Sequence, residues 1–230
     1  MNLLEIRQQF VSLSGRADLA TADGATVSGT DSGADFFIAN GTRWLDLAQE
    51  TDKEAAQYDE SFAIGDWRVL MENCRVVKEV WFRDSEGSRT KLTPTTRDAL
   101  REDYPKLSGE DNGTATKWAP YISRFAPSQV GSGQQVKYNS VMIMPPTDAA
   151  ITIEVFGIFH SLELKENIQE NYWSVNYPDV LVLASLMSME GFYRNTQGVN
   201  DYLNQINAIL RGIDVDTADA MTVESMQMEG

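Results

Sequence analysis

From Val180 to Met189 the chain reads Val-Leu-Val-Leu-Ala-Ser-Leu-Met-Ser-Met, apolar almost all round a helix, directly after Pro178-Asp179. Pro fits a first helical turn because no intrahelical partner awaits its N–H there, and Asp suits the positive end of the helix dipole. A helix without a polar face must be covered on most sides. The run falls well short of the ~20 residues that span a bilayer, so protein has to cover it. This segment therefore demands other helices from elsewhere in the chain.

The two ends of the sequence supply them. Asn2 with Glu5 three residues later has the pattern of a capping box, and Leu3, Ile6, Phe10 and Leu13 follow at helical spacing until Gly15. Residues 17 to 33, with glycines and alanines among Asp and Thr, predict a mobile loop. A second helix begins near Ser32 and Asp35 with Phe37, Gly41, Trp44, Leu45 and Ala48 on one face, Gly41 offering a place for another backbone to approach. A last helix carries Val199, Tyr202, Leu203, Ile206 and Leu210 on one stripe and is expected to end at Gly212. Beyond it, Asp214, Asp216, Asp219, Glu224 and Glu229 without a basic residue predict a flexible acidic tail over 213 to 230.

Between these helices the period changes to two. Trp67, Val69 and Met71 alternate with Arg68, Leu70 and Glu72, and the segment from Cys74 to Phe82 also reads as strand. Asp84-Ser85-Glu86-Gly87 supplies a hairpin turn, Thr93-Pro94 a helix start and Tyr104-Pro105 its end. Further strands are expected near 118 to 125, 136 to 144 and 151 to 164, separated by the loop Pro127 to Gln135 and the turn Pro145 to Asp148. The economical fold is α+β: a helical bundle from residues 1–60 and 170–212, with an antiparallel β-sandwich-like domain inserted at 62–165.

The residues give little support to catalysis. His160 is the sole histidine, so a nucleophile–histidine pair would have to be built around it, and its place late in a strand favours a structural role. Asp214-Val215-Asp216-Thr217-Ala218-Asp219 lacks the glycine and glutamate of a calcium loop. Gly131-Ser132-Gly133 lacks the third glycine of a dinucleotide fingerprint. No catalytic, cofactor-binding or metal-binding residue is assigned, and the chain is read as a non-enzyme. Cys74 is the single cysteine, and the start Met1 to Glu5 lacks the regions of a signal peptide, so synthesis in a reducing cytoplasm is expected. A net charge of -15, from 34 acids against 19 bases, argues against wrapping or reading nucleic acid. An acidic surface beside DNA would instead keep it from sticking.

What the sequence does offer is interface chemistry. Tyr172, Trp173 and Tyr177 stand in an aromatic loop before the apolar helix, and Tyr and Trp are favoured interface anchors. The same loop folded over its own core is the alternative. In the tail, Asp214, Asp216, Asp219, Met221 and Met226 are candidate contacts that order on binding. The tryptophans and abundant carboxylates also admit a second reading, a carbohydrate-binding or glycan-cleaving accessory protein.

The order of several motifs resembles the head-to-tail adaptor (connector, or neck) proteins of tailed bacteriophages. The resemblance lies in Leu3-Leu4-Glu5-Ile6-Arg7 with Phe10 and Ser14-Gly15-Arg16, and in Gly33-Ala34-Asp35-Phe36-Phe37-Ile38 with Arg43-Trp44-Leu45-Asp46. It continues in Pro145-Pro146 before the strand 151–158, and in the block from Tyr172-Trp173 to Pro178-Asp179. The resemblance implies a structural virion protein that forms a ring, usually of twelve copies, beneath the portal and joins it to a neck or tail protein. It also implies that the C-terminal segment reaches into the portal and that DNA passes through the ring. No membrane partner is expected.

Overall fold

A computed structural model describes residues 1–23, 26–48, 55–107, 112–121 and 138–227, with backbone alone for 21–23, 26–30, 138 and 214–227. Helices and two largely antiparallel sheets place the chain in the α+β class. In chain order the first elements are α1 (Leu3–Ser14), a 3-10 turn (Ala17–Leu19), β1 (Ala20–Asp23), β2 (Thr26–Asp31) and α2 (Ala34–Ala48). Strands β3 (Ala55–Phe62), β4 (Arg68–Glu72), β5 (Cys74–Arg83), β6 (Arg89–Lys91) and β7 (Thr93–Pro94) follow. Helix α3 (Arg97–Asp103), β8 (Lys117–Pro120), β9 (Tyr138–Met144) and β10 (Ile151–Phe159) precede α4 (Tyr172–Asn176), α5 (Pro178–Phe192) and α6 (Thr196–Gln227). The chain divides into a helical unit, Met1–Lys53 with Ser161–Gly230, and a sheet unit, Glu54–His160.

In the helical unit α5 packs against α1, α2 and α6, which covers the apolar run. Val180, Leu181, Val182, Ala184, Leu186 and Met189 are buried, and Ser185 is buried with its hydroxyl donating to Leu181 O at 2.7 Å. Phe37 meets Phe192 while Gly41 faces Ala184 and Ser185, so α2 and α5 run antiparallel. A Cβ on Gly41 would lie 2.8 Å from Ser185 N, so the glycine sets how closely the helices approach. The capping box at Asn2 is formed in both directions, and Gly15 closes α1 in the left-handed region at φ 67°.

Three local expectations are corrected here. Residues 17–33 are not simply a loop but hold the antiparallel pair β1–β2, because Thr and Val around Gly29 tolerate extended backbone. Tyr172–Asn176 is a short helix, started by a reciprocal box between Asn171 and Ser174. Finally, α6 does not stop at Gly212 but continues to Gln227. A helix-interior glycine costs only about 1 kcal/mol relative to alanine, and Ala218, Ala220, Met221 and Glu224 are good helix formers.

In the sheet unit the strand orders are β3-β10-β5-β6 and β4-β9-β8-β7. The first is antiparallel throughout; the second contains one parallel step, between β7 and β8. Val80, Ile153 and Val155 of the first share a core with Val69, Met71, Trp118, Val141 and Ile143 of the second. Asn73, at φ 59°, passes the chain from β4 in one sheet to β5 in the other, and asparagine tolerates that left-handed turn. The Asp84–Gly87 turn joins β5 to β6 as expected, with Arg83 opposite Arg89.

Thr93-Pro94 does not start a helix. Thr93 N and Thr95 N donate to the carbonyls of Thr116 and Trp118, which fixes this segment as extended, and Thr96 caps α3 instead. The last strand ends at Phe159 rather than 164, where His160 N donates to Asn73 O at 2.7 Å. Residues 122–137, including the expected loop Pro127 to Gln135 with Gly131 and Gly133, lie outside the described residues.

Candidate assembly interface

The aromatic segment before α5 is split between inside and outside. Trp173 is 1% exposed, and its indole Nε1 donates to Asp46 Oδ1 at 2.7 Å. The same carboxylate accepts from Ser161 N at 2.9 Å and Ser161 Oγ at 2.7 Å. Tyr172 and Tyr177 lie half-buried beside Trp173, with ring centroids 5.1 and 6.1 Å from it. Trp173 is thus an anchor of its own unit's core, while the two tyrosines keep partial access to solvent. Asp214, Asp216, Asp219, Met221 and Met226 follow the backbone of α6, and their side chains lie outside the described residues.

Two exposed apolar groups were not singled out from the sequence. At one end of the antiparallel pair α2–α5 stand Phe36, Phe192 and Tyr193, 59%, 65% and 45% exposed, joined edge to face through Phe37. The Arg16 guanidinium lies 4.8 Å over the Tyr193 ring and holds Asp18 in a two-pronged pair at 2.7 and 2.8 Å. That pair holds the Asp18 carboxyl below its ordinary range. At the other end, around Asp46, the exposed apolar residues are aliphatic: Leu47, Leu162 and Val175. Phe36 and Leu47 are eleven residues apart on α2, about 16 Å along its axis. The signal was available in the position of Phe36, which lies about 100° round the helix from Phe37, on the side away from the stripe of Phe37, Gly41, Trp44, Leu45 and Ala48.

In the sheet unit, polar groups gather on the face of the first sheet that points away from its core. Glu154 on β10 is fully buried there beneath two arginines. Arg83 Nε stands 3.2 Å from Oε1 and Arg89 Nη2 donates to Oε1 at 3.0 Å. Arg89 Nε is also 3.0 Å from Oε2, as an ion pair without an aligned hydrogen bond. Next to them Lys91 pairs with Glu79, which also accepts from Trp81 Nε1 at 3.0 Å. Lys91 first, then Trp81, holds Glu79 below the ordinary carboxylate range.

The tryptophans are committed to internal contacts. Trp118 and Trp173 are buried, Trp67 stacks edge to face on Tyr121, Trp44 packs on the helical core and Lys91 lies over Trp81. The depression lined by Ser61, Phe62, Arg83 and Thr152 holds about 210 Å³. That is below the roughly 300–1,000 Å³ usual for small-molecule sites.

His160 lies half-buried at the end of β10, and among the described residues no group of His, Cys, Asp and Glu is arranged to hold a metal. Among them, too, no helix is long and apolar enough to cross a membrane. No known family model and no curated protein matches this sequence.

Proposed function

We propose that this protein is a structural component of a tailed-phage virion, an adaptor whose copies form a ring that joins the portal to the neck or tail, with DNA passing through. The observation that carries this reading is exposed apolar surface at both ends of α2, Phe36 with Phe192 and Tyr193 at its start and Leu47 with Leu162 and Val175 around its end. A subunit in a ring needs two different patches, because a heterologous contact repeated around an axis presents one patch to each neighbour. A subunit that also binds a portal needs surface beyond its own core, and the half-buried Tyr172 and Tyr177, with the acidic segment 214–230, supply candidates.

The motif order from Leu3 to Asp179 supports the same assignment, and the net charge of -15 suits a channel wall that DNA must slide past. A ring of twelve follows from the resemblance. Synthesis is in the host cytoplasm and the mature site is the virion neck.

Native mass spectrometry and negative-stain imaging, with and without portal protein, test the reading. A closed ring that binds portal is expected. A monomer that never binds portal overturns it.

A further inference from the structure

We propose that neighbouring copies are joined edge to edge through their sheet units, β6 of one copy adding antiparallel to β3 of the next. The proposal deepens the ring reading and rests on its premise that copies associate. Among the described residues β3 and β6 are the two open edges of the sheet β3-β10-β5-β6. Strand β3 runs eight residues in unbroken register with β10, from Ala55 opposite Ile158 to Phe62 opposite Ile151. Of the usual protections of an exposed edge, β3 lacks proline, lysine, a bulge and shortness, and its charges are both acidic: Asp59 outward and Glu60 opposite Ile153 on the inward face, a pair that a basic edge would suit and a second acidic edge would not.

The charges of the two edges are opposite. Strand β3 carries Asp59 and Glu60 and no base, whereas β6 is Arg89-Thr90-Lys91, exposed along its length. Within the chain Asp59 stands 3.7 Å from Arg83, and Arg89 and Lys91 pair with Glu154 and Glu79, so a junction would share these charges rather than meet them free. The register places Asp59, Glu154, Trp81 and Lys91 in one row across the four strands, all on the outward face. Continued into a second copy, that row sets the Lys91 end of one sheet beside the Asp59 end of the next. Because every pairing in the sheet is antiparallel, β6 runs opposite to β3, so the junction keeps the alternation. Joining β3 to β3 would oppose acid to acid, and β6 to β6 base to base, both unfavourable for cross-strand neighbours. The favoured junction is therefore heterologous, the kind that closes into rings. Three residues on β6 make a small contact, so each seam is weak alone and gains from repetition around the ring.

Cysteine pairing between two variants tests the seam. Within one chain β3 and β6 are three strand spacings apart, about 14 Å, beyond the ~7 Å Cα limit for a disulfide. Any bridge between their outward faces is therefore intermolecular, and native Cys74 is buried. A Lys91→Cys chain is mixed with a Gln57→Cys, Asp59→Cys or Ser61→Cys chain under mild oxidation, and the bridges are mapped by mass spectrometry. The expected result is a β3–β6 bridge in at least one mixture and its loss in every variant alone. Bridging by a single variant as strong as in the mixtures signals a symmetric contact and overturns the proposal.

Assembled particles without a bridge in any mixture overturn the seam but leave the ring reading standing. A protein monomeric at every concentration, with or without portal, overturns both. A second readout uses charge: Asp59→Lys and Lys91→Glu each reduce assembly alone, and mixing the two variants restores it. Failure of the mixture to restore assembly, with both variants folded, counts against the seam.

Discussion

The indole N–H of Trp173 donates to Asp46 Oδ1 at 2.7 Å, a buried bond across 127 residues of sequence that ties the C-terminal end of α2 to α4. With the two bonds from the half-buried Ser161, the carboxylate serves three donors, of which the Trp173 indole is shut off from water. Burying such donors unpaired costs far more than a bond adds when made. Asp46→Ala is expected to lower stability by about 3–5 kcal/mol, and Trp173→Phe by about 1.5–3 kcal/mol, since Ser161 still satisfies the carboxylate. Urea denaturation followed by circular dichroism checks both magnitudes and their order.

Two glycines give opposite predictions for one substitution. At Gly41 an added Cβ meets Ser185 N at 2.8 Å and Ala184 C at 3.0 Å, backbone that cannot move without separating α2 from α5. At Gly212, within α6, an added Cβ has nothing within 4 Å. Gly41→Ala is expected to destabilise by about 1–3 kcal/mol through overpacking. Gly212→Ala is expected to stabilise by about 0.5–1 kcal/mol through helix propensity. Thermal melts of the two variants beside the native chain should move in opposite directions.

Much of this architecture is legible in the chain because it rests on local chemistry. The Asn2–Glu5 box, Gly15, the Asp84–Gly87 turn and Pro178-Asp179 act within four residues of themselves. Gly41 was readable as a close-approach point because it stands on a helix face otherwise made of Phe37, Trp44, Leu45 and Ala48, which has little other use for it. What the sequence hides is non-local. That Trp173 is held inside by Asp46, and that Glu154 is buried under Arg83 and Arg89, depends on partners tens of residues away. Whether Thr93-Pro94 starts a helix or borders a sheet is decided by the carbonyls of Thr116 and Trp118, not by its own propensity. Gly212 misleads for a different reason, since one glycine weakens a helix without ending it.

Burial of Cys74 pushes its thiol up to about 11. In the unfolded chain the proton leaves near the ordinary value of about 8.5. Between those values the unfolded state binds fewer protons than the native one. Stability from this group is therefore complete below about pH 8 and falls as pH rises toward 11. The native chain should lose more stability between pH 8 and pH 10.5 than Cys74→Ala does, measured as the difference in denaturation midpoints. Alkylation of Cys74 at pH 8 should be slow until denaturant is added.

Arg7 is 2% exposed and holds Asp35 through Nε at 2.8 Å and Nη2 at 2.7 Å, with Nη1 on Asn167 Oδ1 at 2.8 Å. The bond to Asp35 joins α1 to the first turn of α2, and the bond to Asn167 fixes the segment that leads to α4. Removing the acid leaves a buried guanidinium without its counter-charge, whereas removing the base leaves a partly exposed carboxylate that water can reach. Asp35→Ala is thus expected to cost about 3–5 kcal/mol, and Arg7→Met clearly less. Equal losses in chemical denaturation would show that the pair acts only by packing.

The C-terminal segment separates folding from attachment, and the place of the cut matters. Leu210 and Ile213 are buried in the core of the helical unit, so a deletion that begins at 213 removes a core side chain with the acidic residues. Deleting 214–230 spares Ile213 and removes Asp214, Asp216, Asp219, Met221, Glu224, Met226 and Glu229. If these residues serve a partner, that deletion leaves the melting temperature almost unchanged while weakening portal binding in a pull-down. Extending it to include Ile213 adds about 2–5 kcal/mol of destabilisation, the range for losing a buried aliphatic side chain. A large fall in melting temperature on deleting 214–230 alone would assign the segment to the core instead, and portal attachment would then have to be sought at Tyr172, Tyr177 or the aromatic end of α2 and α5.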